Sequence, residues 1–295
     1  MEAAAFLADT GTERIGRFRK RLEAAAADPA SEEAIHDLRV SIRRVLAWIA
    51  AWEGLIGREP GLSEARASLK KLMTPLGRLR DAHVKRDAIG LRVPAGDRIS
   101  YRYAVLVASD VLRWEGRART LLRERWPARI RIRVPKKRLA PDGPVDAAAA
   151  ACRLLAPLAA EVAKHRKPAL DPANAEALHR MRLAFKKYRY SWEVFSPLFP
   201  RSGAATAKRF HAFQTLLGTI HDCDVILDEA GSFRRRDADF GEESSVEASF
   251  RRLRHEKFAE FRHVAGTELR LSRLLRTGFS PLNPFFPFAP PNARW

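Results

Sequence analysis

Cysteine is scarce: Cys152 and Cys223 are the only two in 295 residues, and neither sits in a CxxC spacing. That excludes a zinc ribbon and a disulfide framework, so both read as reduced core thiols. Long apolar runs are missing too. The best candidates, Val45 to Trp52 and the tract Ala147 to Ala151, fall well short of the roughly 18 residues a membrane span needs. The N-terminal MEAAAFLADT has neither the basic nor the apolar region of a secretory signal. A cytoplasmic protein with no membrane partner is expected. β-branched alternation occurs only in RIRIRV at 129–134, which leaves little material for a sheet. Acidic residues are in short supply, 35 against 54 Lys and Arg, for a net charge of +19. A surface that basic repels itself unless a polyanion screens it, so the expected partner is nucleic acid or polymeric phosphate.

What the chain does have is helical periodicity almost throughout. Breakers at 28–29, 57–61, 93–96, 126–144, 168–172, 200–203 and 240–241 divide it into eight predicted helices. These run at about 4–27, 31–57, 62–90, 97–126, 144–167, 172–199, 202–236 and 242–276. From Gly278 onward five prolines and five aromatics rule out a helix, which marks 277–295 as a Pro/Phe-rich tail.

Two motifs recur. HDLRVSIRR at 36–44 matches HRMRLAFKK at 179–187, and LGRLRDAHV at 76–84 matches LGTIHDCDV at 217–225. The order is the same and the offsets, 143 and 141 residues, nearly so. This predicts a tandem duplication of two four-helix bundle units related by a pseudo-twofold. The first unit spans about 4–126, the second about 144–276, and a basic connector at 127–143 joins them.

On a helix of about 100° per residue, His36, Arg39, Arg43 and Arg44 lie away from Leu38, Ile42, Val45, Ile49 and Trp52. In the second copy His179, Arg182, Lys186, Lys187 and Tyr190 face away from Met181, Phe185, Tyr188, Trp192 and Phe195. An ordinary solvated face would mix signs, yet no acid occurs from Val40 to Trp52 or from Lys186 to Trp192. Unpaired like charges one turn apart cost a helix a few tenths of a kcal/mol per pair, so an external anion is expected to compensate. Such an anion would favour the charged forms of His36 and His179. Lys70, Lys71 and Arg78 in one copy, and Lys208, Arg209 and His211 in the other, add cations to the next motif's helix, as His255 does to the last. Gly77 and Gly218 read as sites of close helix packing. Asp81 and Asp222 read as orienting Arg80, Arg43 or His221 by charge-assisted hydrogen bonds.

The paired His-x-x-Arg-x-x-x-(Arg/Lys)-(Arg/Lys) and Leu-Gly-x-x-x-Asp helices, in two copies, resemble the CHAD domain, the conserved histidine α-helical domain. The resemblance covers about residues 6–275, taken as a domain at 1–275. It implies an all-α, pseudo-twofold fold with a basic central channel that binds inorganic polyphosphate and directs the protein to polyphosphate granules. It nominates His36, Arg39, Arg43 and Arg44, then His179, Arg182, Lys186, Lys187 and Arg189, with Asp81 and Asp222 structural. The copies differ: His83 stands opposite Asp224, and Leu46 opposite Arg189. A stand-alone member without a triphosphate-tunnel domain is expected, with no catalytic residue, metal or cofactor. Two alternatives remain: a nucleic-acid-binding helical protein using RIRIRVPKKR at 129–138, and an HD-type metal phosphohydrolase built on His36-Asp37 and His221-Asp222.

Overall fold

The computed structural model describes residues 1–94, 96–125, 130–135, 145–236 and 243–275. The tail at 277–295 and most of the connector at 127–143 lie outside them. The fold is all-helical. The helices are α1 (Ala3–Ala27), α2 (Glu32–Leu55), α3 (Pro60–Gly90), α4 (Arg98–Thr120), α5 (Ala147–Lys164), α6 (Arg166–Ala169), α7 (Ala175–Phe195), α8 (Pro200–Arg236), α9 (Ser245–Ala265) and α10 (Glu268–Leu275). A π turn, Leu121–Arg125, extends α4, and a 3₁₀ turn, Ser196–Leu198, follows α7.

Local chemistry accounts for the starts. Ser31, Asp97, Asp146, Asn174 and Ser244 each accept hydrogen bonds from backbone N–H groups of the first turn they precede, which satisfies donors a helix leaves open. Asp97 does more: it also accepts from Ser245 N at 2.8 Å, tying the start of α4 to the start of α9. One expectation is corrected. The single helix predicted over 242–276 is broken at Gly266, where the chain lies so close to its preceding turn that a Cβ would stand 2.2 Å from the Arg262 carbonyl oxygen. The alternation at 129–134 forms no strand over its described residues; instead Ile132 is buried and its carbonyl accepts from Arg19 Nη2 at 3.1 Å. Only an isolated bridge, Glu2 to Asp146, shows β pairing among the described residues.

Packing follows one scheme twice. α1 packs on α2, α2 on α3 and α3 on α4; α5 packs on α7, α7 on α8 and α8 on α9. Further contacts of α2 with α7, α1 with α5 and α4 with α8 join the two series. The main core runs through both, with Phe6 of α1 stacked on Phe195 of α7 at 5.9 Å between ring centroids. A smaller core gathers Ile89, Tyr103, Val107, Cys223, Ile226 and Phe250 from α3, α4, α8 and α9. Cys223 is thus a core thiol, as expected, while Cys152 is half-buried.

α1 and α2 approach closely at Gly11. Trp48 is fully buried, its indole Nε1 donates to Leu7 O at 2.7 Å, and a Cβ on Gly11 would stand 2.3 Å from its ring. Gly16, further along the same helix, has open space where a Cβ would go. Gly11→Ala is therefore expected to destabilise the fold by about 1–3 kcal/mol through overpacking, whereas Gly16→Ala stabilises it by about 0.5–1 kcal/mol through lost unfolded-state freedom. Urea denaturation followed by circular dichroism measures both; equal shifts would contradict the α1–α2 contact.

Candidate functional site

The buried stripes of α2 and α7 bring their basic stripes together. Arg39 and Arg43 come from α2, Arg182 and Lys186 from α7, with Arg80 and Asp81 of α3 and His221 and Asp222 of α8 beside them. Arg39 is only 8% exposed, and its one ion pair is a loose contact from Nη2 to Asp81 at 3.8 Å. The Nε atoms of Arg39 and of Arg182, its equivalent in the second copy, are both buried without a hydrogen-bond partner. Among the described residues, Arg43, Arg182 and Lys186 have no ion pair.

The electrostatics register this crowding. Burial, then Arg43, hold the Arg39 guanidinium down to about 10. Lys186 falls further, to about 7, through burial and then Arg43, Arg182 and Arg39, against which Asp81 is the opposing charge. Burial also lifts the Asp222 carboxyl to about 6 despite the nearby Arg182. On the second half, His179 Nδ1 and His221 Nδ1 stand 3.3 Å apart, so one ring must donate and the other accept. His221 is the neutral partner, pushed down to about 4 by burial, Arg182, His179 and Lys186. His36 lies at the surface, and burial followed by Arg80 lowers it as well.

The other nominated residues are placed differently. Arg44 lies about 100° further round α2 than Arg43, and its Nε donates to Glu193 Oε2 at 2.9 Å. Arg189 binds the same carboxylate through Nη1 and Gln214 Oε1 through Nε at 2.6 Å. Its guanidinium lies 4.2 Å from the centroid of Tyr190, which is buried. Both arginines are thereby tied to the single carboxylate of Glu193. Lys70, Lys71, Arg78, Lys187, Lys208, His211 and His255 project from the exposed sides of α3, α7, α8 and α9.

Two readings of the second motif need correcting. A Cβ on Gly77 would meet only Arg39 Nη2, at 3.9 Å, and one on Gly218 nothing within 4 Å. These glycines keep space open instead of admitting a helix. Arg80 does not pair with Asp81; its Nη1 donates to Glu32 Oε2 at 3.4 Å, a carboxylate that also holds Arg86. The copies also differ where the sequence differs: His83 Nε2 lies 3.3 Å from Glu115 in the α3–α4 pair, whereas Asp224 binds Arg254 in the α8–α9 pair.

Sequence reasoning missed Arg14. It is half-buried, donates to the Arg44 carbonyl at 3.2 Å and to the Glu193 carbonyl, and lines a groove of about 840 Å³ between α1, α2, α7 and α8. No repeated motif marks it. The HD alternative finds no support in geometry: Asp37 pairs with Arg21 at 3.0 Å, and no group of three or more His, Cys, Asp or Glu suited to a metal occurs among the described residues.

No curated protein matches the chain. Two solved structures are similar in fold. The crystal structure of the CHAD domain from the plant Ricinus communis is 21% identical, with a TM-score of 0.63 over 93% of this chain and 92% of that one. PptA from Streptomyces chartreusis is 17% identical, with a TM-score of 0.57 over 93% of this chain and 99% of that one. The CHAD domain profile matches residues 11–230, most of the chain and both copies of both motifs, and the chain therefore belongs to the CHAD domain family.

Proposed function

We propose that this protein binds inorganic polyphosphate without catalysis, in a basic channel on the pseudo-twofold axis of a duplicated helical bundle. The observation that carries this reading is the pair of equivalent arginines, Arg39 buried and Arg182 half-buried, each with a buried, unpartnered Nε beside further cations. A buried donor without a partner costs about 1–3 kcal/mol, and an anion threaded between α2 and α7 would supply the missing acceptors. Arg43 and Lys186 occupy equivalent motif positions, and Arg43 is the foremost cation acting on Lys186. Residues that adjoin their own equivalents lie next to a twofold axis.

The ligand chemistry follows. Guanidinium groups from both halves grip phosphoryl oxygens in pairs. No aromatic ring is stacked for a base at the cluster, since Tyr190 is buried under Arg189. That favours a chain of phosphates over nucleic acid, which would call on stacking or base-edge contacts. Association with polyphosphate granules in the cytoplasm would follow from the same contacts. Competition between long-chain polyphosphate and duplex DNA at fixed salt tests the choice: DNA displacing polyphosphate at equal phosphate concentration would favour the nucleic-acid reading.

Charge reversal separates the cluster from net charge. The double variant Arg39→Glu, Arg43→Glu should weaken polyphosphate binding by at least about 100-fold, since each charge-assisted contact is worth about 1.5–3 kcal/mol. Arg117→Glu, Arg119→Glu, on exposed positions of α4 outside both motifs, should cost less than about threefold. Calorimetric titration at fixed salt, with helicity checked by circular dichroism, decides; equal losses would mean that charge alone matters.

Binding should also take up a proton. In the free protein Lys186 loses its charge as pH rises through about 7, because burial and Arg43 disfavour the ammonium. A bound polyanion favours the ammonium and raises that pKa, so the complex keeps a proton that the free protein releases. Affinity is then full below pH 7 and falls as pH climbs from 7 to 9. Lys186→Gln should flatten the slope across that window; an unchanged slope would remove Lys186 from the contact.

A further inference from the structure

Away from the central cluster, the groove between α1, α2, α7 and the start of α8 encloses about 840 Å³, within the range of about 300–1,000 Å³ typical of small-molecule sites. Five cations and three carboxylates line it. Each carboxylate already has a cation: Glu13 pairs with Arg17, Asp37 with Arg21 at 3.0 Å, and Glu193 with Arg44 at 2.9 Å. Arg14 and Lys20 are left over, without an ion pair among the described residues. Arg14 is fixed in place by main-chain acceptors, the carbonyls of Arg44 at 3.2 Å and of Glu193. Those two bonds use two of its five N–H donors and leave its charge unmatched. Burial holds its guanidinium down to about 10 even though Glu193 is near.

The remaining wall is largely apolar. Val40, Pro197, Ala204 and Ala207 contribute to it, together with Trp192, which is only 2% exposed. The indole Nε1 of Trp192 is buried and has no hydrogen-bond partner among the described residues. The hydroxyls of Ser41 and Ser196 are turned back onto the carbonyls of Leu38 and Glu193.

Duplication does not account for this groove. α1 packs on α2 as α5 packs on α7, yet at the repeat offset of 143 residues Arg14, Arg17, Lys20 and Arg21 stand opposite Pro157, Ala160, Ala163 and Lys164. The basic face of α1 belongs to one half of the molecule, off the pseudo-twofold on which Arg39, Arg43, Arg182 and Lys186 meet.

We propose that this groove is a separate ligand site for a small phosphate monoester with an apolar body. Two unmatched cations call for a dianion, and a monoester phosphate carries about two negative charges at neutral pH. Its oxygens accept from the guanidinium fork of Arg14 and from Trp192 Nε1, with Lys20 at the rim as the second charge. The ester's apolar part covers Val40, Pro197, Ala204 and Ala207. A polyphosphate chain has no such part, so the two sites select different ligands.

Calorimetric titration of the full chain at fixed salt and pH 7.5, with phenyl phosphate as the probe, tests the groove. Phenyl phosphate should bind at least about tenfold more tightly than inorganic phosphate, which lacks the apolar body, or benzoate, which lacks the second charge. Arg14→Gln should weaken it at least about tenfold. Arg14 also holds carbonyls of α2 and α7, so a second variant leaves those bonds intact: Ala207 is exposed on α8, and Ala207→Trp fills the groove from its rim. Ala207→Trp should abolish phenyl phosphate binding and leave long-chain polyphosphate affinity within about twofold. Phenyl phosphate binding that survives Ala207→Trp but is lost in Arg39→Glu, Arg43→Glu would assign the ligand to the central cluster and overturn the proposal, as would affinity no better than that of inorganic phosphate. Weak polyphosphate binding alongside phenyl phosphate binding that Ala207→Trp abolishes would reject the polyphosphate reading and leave the groove site standing.

Discussion

Cations crowd together at the α2–α7 contact, Arg39 buried and the others half-buried, and the rest of the structure is arranged around that constraint. Arg39, Arg43, Arg182 and Lys186 share a space in which Asp81 and Asp222 are the nearest carboxyls, and burial lifts Asp222 toward its neutral form. Burying charge without a close partner is unfavourable by several kcal/mol per ion. It persists because the opposite faces of the same helices are strongly favourable. On α2, Leu38, Ile42, Val45, Trp48, Ile49 and Trp52 are fully buried, each worth about 1.5–3 kcal/mol relative to exposure. Apolar packing holds the two basic faces against each other, and the repulsion remains available to an anion.

The surrounding acids sharpen this arrangement. Glu193 gathers Arg44 and Arg189, and Glu32 gathers Arg80 and Arg86. Cations at the margin are thus tied down in ion pairs while those at the centre are left open. The two Leu-Gly motifs contribute absence of bulk: an internal glycine costs a helix about 1 kcal/mol relative to alanine, and here it leaves space beside Arg39 instead of admitting a neighbouring helix. The His179–His221 contact adds a hydrogen-bonded edge on one side only, since Arg80 stands where the second copy has His221. The halves share a plan without being electrostatically equal.

Much of this was legible in the chain because helix periodicity, capping residues and breakers act over a few neighbouring residues. The eight predicted helices correspond to the long helices of the fold, and the basic stripes of Arg39 and Arg43 and of Arg182 and Lys186 emerge opposite the buried faces that periodicity assigns them. The motif repeat likewise needs no structure to be seen. Less visible were the break at Gly266 and the role of Arg14, which depend on a close approach to Arg262 and on carbonyls of Arg44 and Glu193.

By itself, then, the sequence determined an all-helical chain carrying two similar basic helices and too few acids to neutralise them. Tertiary structure decided which cations stay uncompensated. Arg44 and Arg189 have the same residue type as Arg39 and Arg182, yet the first pair shares an ion pair with Glu193 while the second keeps unpartnered Nε atoms. Lys186 and Lys187 are neighbours in sequence, yet Lys187 is exposed while Lys186 is half-buried and drawn down to about 7. Charge pairing and desolvation depend on groups more than a hundred residues away, and only the packing of α2 on α7 brings those groups within range.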